Sequence, residues 1–202
     1  LSRIVSDGFI DRASSNLLSA YFSAGYFGKK SFARFNYFTG NEKTYQSWYG
    51  TPESRITGSV ADMQAFIDRN YLSPQDADNL VKSGRTYNYY TYDNQTDNYA
   101  QDHFQLITNH RLTEDWNLDL NAHYTYGRGY YEEFKPAADL ITYGFANSLR
   151  SVDVIRRKWL DNDFYGSTFA LNYTGSQKIK FTFGGAWNRY VGRHFGVLQD
   201  PY

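Results

Sequence analysis

The chain has 202 residues, with 21 basic and 21 acidic side chains, no cysteine and an aromatic content of 19%. This balance of charge leaves no basic footprint for nucleic acid, and a mean hydropathy of −0.66 without a long apolar run excludes a membrane-spanning helix. The lack of cysteine suits an outer membrane or a periplasm, although cytosolic proteins share it. No signal peptide opens the chain, so we expect a mature protein or a piece of a longer one.

Alternating apolar and polar residues predict a β-hairpin early in the chain. After a strand end at residues 1–5, the alternation runs through residues 16–27, reverses at residues 28–30 and returns through residues 31–39. Side chains alternate across a strand with period two, so each of these strands has one apolar and one polar face.

A long loop, about 40–98, follows and carries signals for two short helices. Ser59 is followed by Asp62 at capping-box spacing, and Ser73 precedes Pro74 at the first helical position, with Gly84 as a stop. Loops of this length are usually functional or disordered, and helix caps argue against disorder.

The clearest strand is WNLDLNAHYTYG, residues 116–127, after a strand at 99–112 and a turn at 113–115. Its apolar face has Trp116 at one end, Tyr124 and Tyr126 at the other, and Leu and Ala between. A membrane-crossing strand needs about 9–11 residues and carries aromatic rings at both interfaces, whereas soluble strands average about 5–6 residues. This strand therefore favours a membrane barrel.

A second long loop, about 127–162, is predicted next, with brief helices at 136–143 and 151–160. Strands at 163–173 and from 179, joined by a turn at 174–177, follow, and a third loop is expected to begin at residue 192. The short turns thus fall at one end of the strands and the long loops at the other, the pattern of outer-membrane barrels.

The predicted fold class is all-β: an antiparallel up-and-down transmembrane β-barrel, partial, with about six or seven strands. Short turns lie on one side and long, partly helical loops on the other. A soluble sandwich or lipocalin-like barrel is the alternative. Six residues in mid-strand are expected to face lipid: Leu118, Leu120, Phe169, Leu171, Phe181 and Phe183.

Segments at the loop edges resemble the barrel of TonB-dependent outer-membrane receptors of Gram-negative bacteria. They are SDGFIDRASSNL, GNEKTYQSWYGTPE, YDNQTDNY, GRGYYEEFK and IRRKWLDNDFYG, at residues 6–17, 40–53, 92–99, 127–135 and 155–166. The resemblance implies a barrel of about 22 strands, plugged by an N-terminal domain, that imports a scarce nutrient such as an iron-siderophore chelate, cobalamin or an oligosaccharide. Residues 1–202 would be a segment of that barrel domain, and TonB would be contacted only through the plug, which these residues lack.

Aromatic residues near the strand ends are candidates for ligand binding, because flat amphipathic rings suit catechol, porphyrin or sugar faces. The alternative is that they form an interfacial girdle or pack the loop. A carboxylate pair beside two tyrosines could bind a cation or could simply lie on a solvated loop. The candidates are Tyr45, Trp48, Tyr49, Tyr87, Tyr89, Tyr90, Tyr92, Tyr130, Tyr131, Glu132 and Glu133.

Arg156, Arg157 and Lys158 form the tightest basic cluster, and phosphates of outer-leaflet lipopolysaccharide would be natural partners. Alternatively, they pair with Asp161 and Asp163. The four histidines share no short metal-ligand spacing, so neither a metal site nor a cofactor is expected.

The leading interpretation is an outer-membrane receptor barrel segment for TonB-dependent nutrient uptake, in contact with lipid, lipopolysaccharide and an extracellular ligand. No catalytic signature such as G-x-S-x-G is present, so we do not expect an enzyme. An outer-membrane barrel enzyme and a soluble carbohydrate-binding β protein are the competing functions. The sequence leaves open which ligand is taken up.

Overall fold

The computed structural model describes residues 1–145 and 151–201, with the side chains of 1–145 and 151–199. One antiparallel sheet contains seven strands in chain order, each paired with its sequence neighbours. The strands are β1 Ser2–Ser6, β2 Ser14–Phe27, β3 Ser31–Tyr45, β4 Thr96–Arg111, β5 Trp116–Asp139, β6 Ser151–Tyr173 and β7 Phe181–Pro201. The sheet is open, with β1 and β7 at its edges.

Among the described residues, the α-helices lie between β3 and β4. They are α1 Glu53–Thr57, α2 Val60–Asn70 and α3 Pro74–Lys82, and 3-10 turns lie at Gly84–Thr86 and Leu140–Tyr143. Over residues 1–145 and 151–201, the structure has no helix that is both long and apolar enough to cross a membrane.

The apolar face of the sheet carries a row of rings that touch across five strands. The row is Tyr37, Phe104, Tyr124, Tyr165 and Trp187, with centroids 4.9, 6.0, 6.5 and 5.8 Å apart in that order. These separations are typical of favourable aromatic pairs. We call this set the aromatic row. At the turn end of the same face, the rings of Trp116 and Tyr173 lie 5.0 Å apart.

Between these two sets of rings the apolar face is exposed, and the six residues expected to face lipid share it, by register and alternation. Leu120, Phe169 and Phe183 expose 49%, 41% and 59% of their surface. No second layer of the described residues covers this face, which argues against the sandwich alternative.

The opposite face is polar and hydrogen-bonded from strand to strand. Asn36 is buried, accepts from the hydroxyls of Tyr21 (3.0 Å) and Ser23 (2.8 Å), and donates to Gln105 (3.4 Å). Similar bonds join Asn109 and Asn172 to Asp119, Asn121 to Thr168, and His123 to Asn188. The two faces therefore suit two different environments, as barrel walls require.

The upper parts of β5, β6 and β7 correct the loop predictions. The expected second loop at 127–162 is mostly strand, since β5 runs to Asp139 and β6 begins at Ser151, and its residues 146–150 lie outside the described ones. The helix expected at 151–160 is strand, and of 136–143 only Leu140–Tyr143 is helical. No third loop begins at residue 192, because β7 continues to Pro201. Here apolar and polar residues are mixed on both faces of the strands, so the hydropathy alternation that marks a half-buried strand is missing.

The turns at residues 28–30, 112–115 and 174–180 share one end of the sheet, and the helical segment lies at the other. The predicted antiparallel up-and-down fold of barrel type is therefore confirmed. We call the end with the helical segment the upper end.

The helical segment, residues 46–95, has a small core of its own. Met63, Leu80 and Tyr87 form it, with Phe66, Ile67 and Leu72 packed against it. Both predicted caps are present: the Ser59 hydroxyl accepts from the Asp62 N–H (3.2 Å), and the Ser73 hydroxyl accepts from the Asp76 N–H (3.1 Å). The segment is therefore an ordered unit.

We expect residues 1–202, produced alone, to associate in detergent-free buffer, because the exposed apolar face and the open edge at β7 invite pairing. Replacing Phe183 and Trp187 with Lys on the apolar face should reduce this association. The matched replacements Thr182→Lys and Asn188→Lys, on the polar face of the same strand, should not. Sedimentation velocity measures the difference, and a sharp wild-type monomer with cooperative melting would contradict the prediction.

Candidate functional site

Side chains from two strands, β3 and β5, hold the helical segment to the upper end of the sheet. The Tyr45 hydroxyl of β3 donates to the carbonyl of Tyr92 (2.7 Å). The Tyr92 hydroxyl and the Asn94 amide then donate to Glu132 of β5, at 2.8 and 2.6 Å. Gln95 adds a bond to the Tyr131 hydroxyl (3.3 Å). These contacts fix the place of the segment over β5.

A second tie comes from the turn between β1 and β2. Arg12 donates from Nε to the carbonyl of Tyr90 (2.9 Å) and from Nη2 to that of Asn88 (3.3 Å). The Asn88 amide donates to the carbonyls of Asp11 and Gln46, both at 2.9 Å. Sequence analysis missed Arg12 and Asn88, because no local pattern marks contacts between segments so far apart in the chain.

Two neighbouring acids of β5 pair with cations of β6 on opposite faces of the sheet. Glu132 accepts from Arg157 Nε (2.6 Å), while Glu133 pairs with Arg156 and lies 3.1 Å from Lys158 Nζ. Burial opposes ionisation of both carboxyls. Even so, hydrogen bonds from Arg157 lower the pKa of Glu132, and those from Lys158 lower the pKa of Glu133.

These ion pairs revise the expected roles of the basic cluster. Arg156 and Lys158 belong to the polar face by alternation, so in this sheet they do not lie on the face expected to contact lipopolysaccharide. Arg157 belongs to the apolar face but is bound by Glu132. The basic cluster pairs with Glu132 and Glu133 and not with Asp161 and Asp163. Asp161 lies 3.9 Å from Arg128, and Asp163 accepts from Tyr124 (2.6 Å).

A hollow of about 510 Å³ opens on the polar face beneath Trp48. The Trp48 ring lies 5.0 Å from that of Tyr131 and is 65% exposed. Gly129 helps to form the hollow, since a side chain there would collide with the backbone of Asn98 and Tyr99. Its wall also includes Asp97, Tyr99, Lys158, Leu160 and His194.

A second hollow, of about 380 Å³, shares Trp48, Tyr131 and Lys158 with the first. Its other lining residues are Tyr49, Tyr90, Glu133, Lys135 and Arg156. We call the two hollows together the vestibule. The vestibule as a whole has three cations, Lys135, Arg156 and Lys158, and two carboxylates, Glu133 and Asp97. The remaining excess of one positive charge favours an anionic ligand with flat rings.

Three tyrosines border the vestibule as a cluster of rings. Tyr49 lies 4.6 Å from Tyr89 and 5.6 Å from Tyr90, and the latter two are 5.5 Å apart. Burial, followed by the proximity of Tyr49, raises the pKa of Tyr89 and of Tyr90. Both phenols therefore stay protonated at neutral pH and can donate hydrogen bonds.

The remaining candidates have other places. Tyr87 is only 1% exposed in the core of the helical segment, and Tyr45 is buried with its hydroxyl bonded to backbone. Both side chains therefore pack the helical segment, which was the alternative to the predicted contact with a ligand. Tyr130 belongs to the apolar face by alternation, and its ring lies 4.6 Å from that of Trp159 in a tilted arrangement, but it also lines the first hollow. The Tyr92 hydroxyl donates to Glu132 and so helps to hold the helical segment to the sheet.

The vestibule thus collects some of the predicted residues and adds others. Predicted ligand candidates that line or border it are Trp48, Tyr49, Tyr89, Tyr90, Tyr130, Tyr131 and Glu133. Sequence analysis missed Tyr99, Lys135 and His194. Tyr99 and Lys135 are the last residues of two segments that resemble the receptor family, and this resemblance could have identified them. His194 fell in a predicted loop. Within residues 1–145 and 151–201 no group of three acidic or histidine side chains could hold a metal ion.

Comparison with protein-family models and with curated proteins finds no match. Solved structures do share the fold: the ferric-catecholate import receptor Fiu from E. coli K12, in an open and a closed form. The open form matches with a TM-score of 0.60 and 16% identity, covering 96% of this chain and 29% of the receptor. The closed form matches with a TM-score of 0.61 and 15% identity, covering 96% of this chain and 27% of the receptor.

These comparisons define the class of fold. The chain has the fold of part of the barrel of a TonB-dependent receptor, which confirms the predicted resemblance at the level of the fold. It spans less than a third of the length of either receptor structure.

Replacing Tyr87 with Ser should loosen the helical segment. Truncating a fully buried aromatic side chain costs about 3–5 kcal/mol, and burial, the largest cause, raises the pKa of Tyr87 to about 12. The control is Tyr89→Ser, at a ring that is 40% exposed, and it should leave the segment intact. Limited proteolysis of residues 46–95 distinguishes the two variants. Equal cleavage rates would show that Tyr87 does not support the segment.

The paired acids predict a loss of stability in acid. Their folded pKa values are lowered, so their contribution is fully present above the unfolded pKa of about 4.3 and is lost as pH falls through the lowered values. Replacing Glu132 and Glu133 with Gln should lower stability near neutral pH and make the decline of stability below the unfolded pKa of about 4.3 shallower. Urea unfolding at each pH measures this. Glu114→Gln, in a turn at the other end, should retain the wild-type pH profile, and an unchanged profile in the double variant would refute the assignment.

Proposed function

We propose that this chain is part of the barrel of an outer-membrane receptor for TonB-dependent uptake of a scarce nutrient, such as an iron-siderophore chelate, in a Gram-negative bacterium. The single observation that carries the proposal is the vestibule. It places exposed rings and cations together at the loop end of a two-faced barrel wall.

The two faces of the sheet support the membrane location. The apolar face runs from the Trp116 and Tyr173 pair to the aromatic row, with exposed Leu and Phe between. Amphipathic rings at both interfaces and aliphatic residues between them suit an outer-membrane strand. The polar face, with its hydrogen-bonded Asn, Asp and His side chains, suits a lumen.

The vestibule suits the kind of ligand that the structural neighbours' names describe. Fiu is a ferric-catecholate import receptor. An iron(III) complex of catecholates is an anion with flat aromatic rings. Trp48 and Tyr49 offer ring faces, and Lys158 offers a cation 53% exposed beside Glu133. A chelate lying on the Trp48 ring would neutralise part of the excess positive charge.

In this proposal the vestibule captures the ligand and the helical segment holds the rings in place. The ties through Glu132 and Arg12 limit how far Tyr90 and Tyr92 can move. Energised passage through the barrel would require a plug domain and contact with TonB, which belong to other parts of such a receptor. We assign no catalytic step to any residue.

The experiment uses Trp48→Ser and Lys158→Gln in the full-length receptor. Loss of one ring contact, worth about 0.5–1.5 kcal/mol, should raise the Kd for a ferric tris-catecholate about two- to ten-fold, and the double variant should lose more. Binding is measured on purified receptor and uptake in iron-starved cells. Tyr71→Ser and Lys82→Gln, at exposed positions of the helical segment, match the chemistry of the changes and should bind as wild type.

Heat-modifiable mobility on gels should remain normal in every variant, which separates binding from folding. An unchanged Kd for catecholate and hydroxamate chelates in the double variant would refute the vestibule as the capture site.

A further inference from the structure

One guanidinium group holds the backbone on both sides of Tyr89. Arg12 Nη2 donates to the carbonyl of Asn88 (3.3 Å), and Arg12 Nε donates to the carbonyl of Tyr90 (2.9 Å). The planar fork of a guanidinium can bond to two acceptors at once, whereas a lysine ammonium at the same place lacks the fork. Arg12 is therefore suited to hold this backbone in one conformation.

Other side chains complete the bonding of the same two carbonyls. The Asn79 amide also donates to the carbonyl of Asn88 (2.8 Å). The Tyr45 hydroxyl lies 3.3 Å from the carbonyl of Tyr90. The Asn88 side chain is only 1% exposed, and its Oδ1 accepts from the Tyr90 N–H (3.0 Å). Donors from the β1–β2 turn, from β3 and from α3 thus converge on one short run of backbone.

The backbone of Arg12 is itself unusual. Its φ of +64 lies in the left-handed region, which residues with a side chain seldom occupy. The neighbouring Asp11 N–H donates to the carbonyl of Thr86 (2.7 Å), and the Asn88 amide donates to the carbonyl of Asp11 (2.9 Å). Strain of this kind is concentrated where a precise geometry serves a site. Here it directs the Arg12 side chain at the run that carries the tyrosines.

The rings held in this way are those of the cluster beside the vestibule. Tyr89 and Tyr90 both contact the Tyr49 ring, with centroids 4.6 and 5.6 Å apart. Arg12 lies outside the described lining of both hollows, so it can act on a ligand only through these rings. A ring that is already in place loses less conformational freedom on binding than a mobile one.

We propose that Arg12 is a positioning residue for ligand capture. It preorganises the rings of Tyr49, Tyr89 and Tyr90 and so strengthens the binding of a ligand with flat rings. This inference rests on the proposed function, because it takes the vestibule to be the capture site. It goes beyond that function by assigning affinity to a residue of the β1–β2 turn that touches no ligand.

The test measures the Kd of the full-length receptor for a ferric tris-catecholate. Arg12→Lys keeps the charge and loses the fork, while Arg12→Asn loses both but tolerates the left-handed backbone. Each variant should raise the Kd about two- to ten-fold for each ring that is no longer held. Arg85→Lys and Arg85→Asn, at an exposed residue just before the same run, make the same changes and should bind as wild type.

Two further measurements separate positioning from support of the fold. A fluorotyrosine in place of Tyr89 reports the ring in the ligand-free receptor, and its fluorine resonance should shift or broaden in Arg12→Lys but not in Arg85→Lys. Methylguanidinium should restore part of the affinity of Arg12→Asn, whereas methylammonium should not. Limited proteolysis of residues 46–95 should proceed as in wild type.

A wild-type Kd in both Arg12 variants would overturn the inference, and so would an unchanged fluorine resonance. Faster cleavage of residues 46–95 would overturn it as well, because Arg12 would then only support the helical segment. If Trp48→Ser raises the Kd while the Arg12 variants bind as wild type, the proposed function stands and only the role of Arg12 fails. An unchanged Kd in Trp48→Ser/Lys158→Gln would refute the proposed function and, with it, the role of Arg12 in capture.

Discussion

Neighbouring residues of a strand in a single-layer sheet point to opposite faces, and every site in this chain depends on that constraint. Glu132 and Glu133 are adjacent, yet one accepts from Arg157 on the apolar face and the other pairs with Arg156 on the polar face. A shift of one residue in register would exchange these faces along the whole strand. The paired acids and cations at the upper end therefore help to specify the register of β5 on β6, besides holding the helical segment.

The same alternation places adjacent residues of one sequence segment on two different surfaces of the sheet. Tyr130 and Tyr131 are neighbours, but the Tyr131 ring packs against Trp48 on the polar face, while the Tyr130 ring packs against Trp159 on the apolar face. Adjacent residues of one strand can thus take part in two separate surfaces. Long strands that rise beyond the apolar band make this possible, because both faces of β5 and β6 are available there.

The helical segment is held in place by several hydrogen bonds and ring contacts, each of them weak. Its core is small. The contacts that hold it to the sheet include hydrogen bonds through Tyr45, Tyr92, Asn94 and Gln95, the turn at Arg12 and the Trp48 ring. Arg12 adopts φ +64, a left-handed conformation uncommon for a residue with a side chain, so the turn holds it in place at some energetic cost. Such a unit is stable enough to present rings yet lacks the large core that would make it rigid.

The sequence by itself determined the features whose cause is local. Period-two alternation placed the strands of the lower half, the serine caps placed α2 and α3, and turn chemistry placed the short reversals. Only the tertiary structure determined which residues of the upper half form strands and how those strands pair. There apolar and polar residues are mixed on both faces, so the upper part of β6 has no alternation that predicts a strand, and pairing is set by contacts between distant residues such as Glu132 and Arg157. Tyr87 and Tyr89 show the same division at one site: both are tyrosines of one run, and only packing against Met63 and Leu80 makes the first a core residue and leaves the second beside the vestibule.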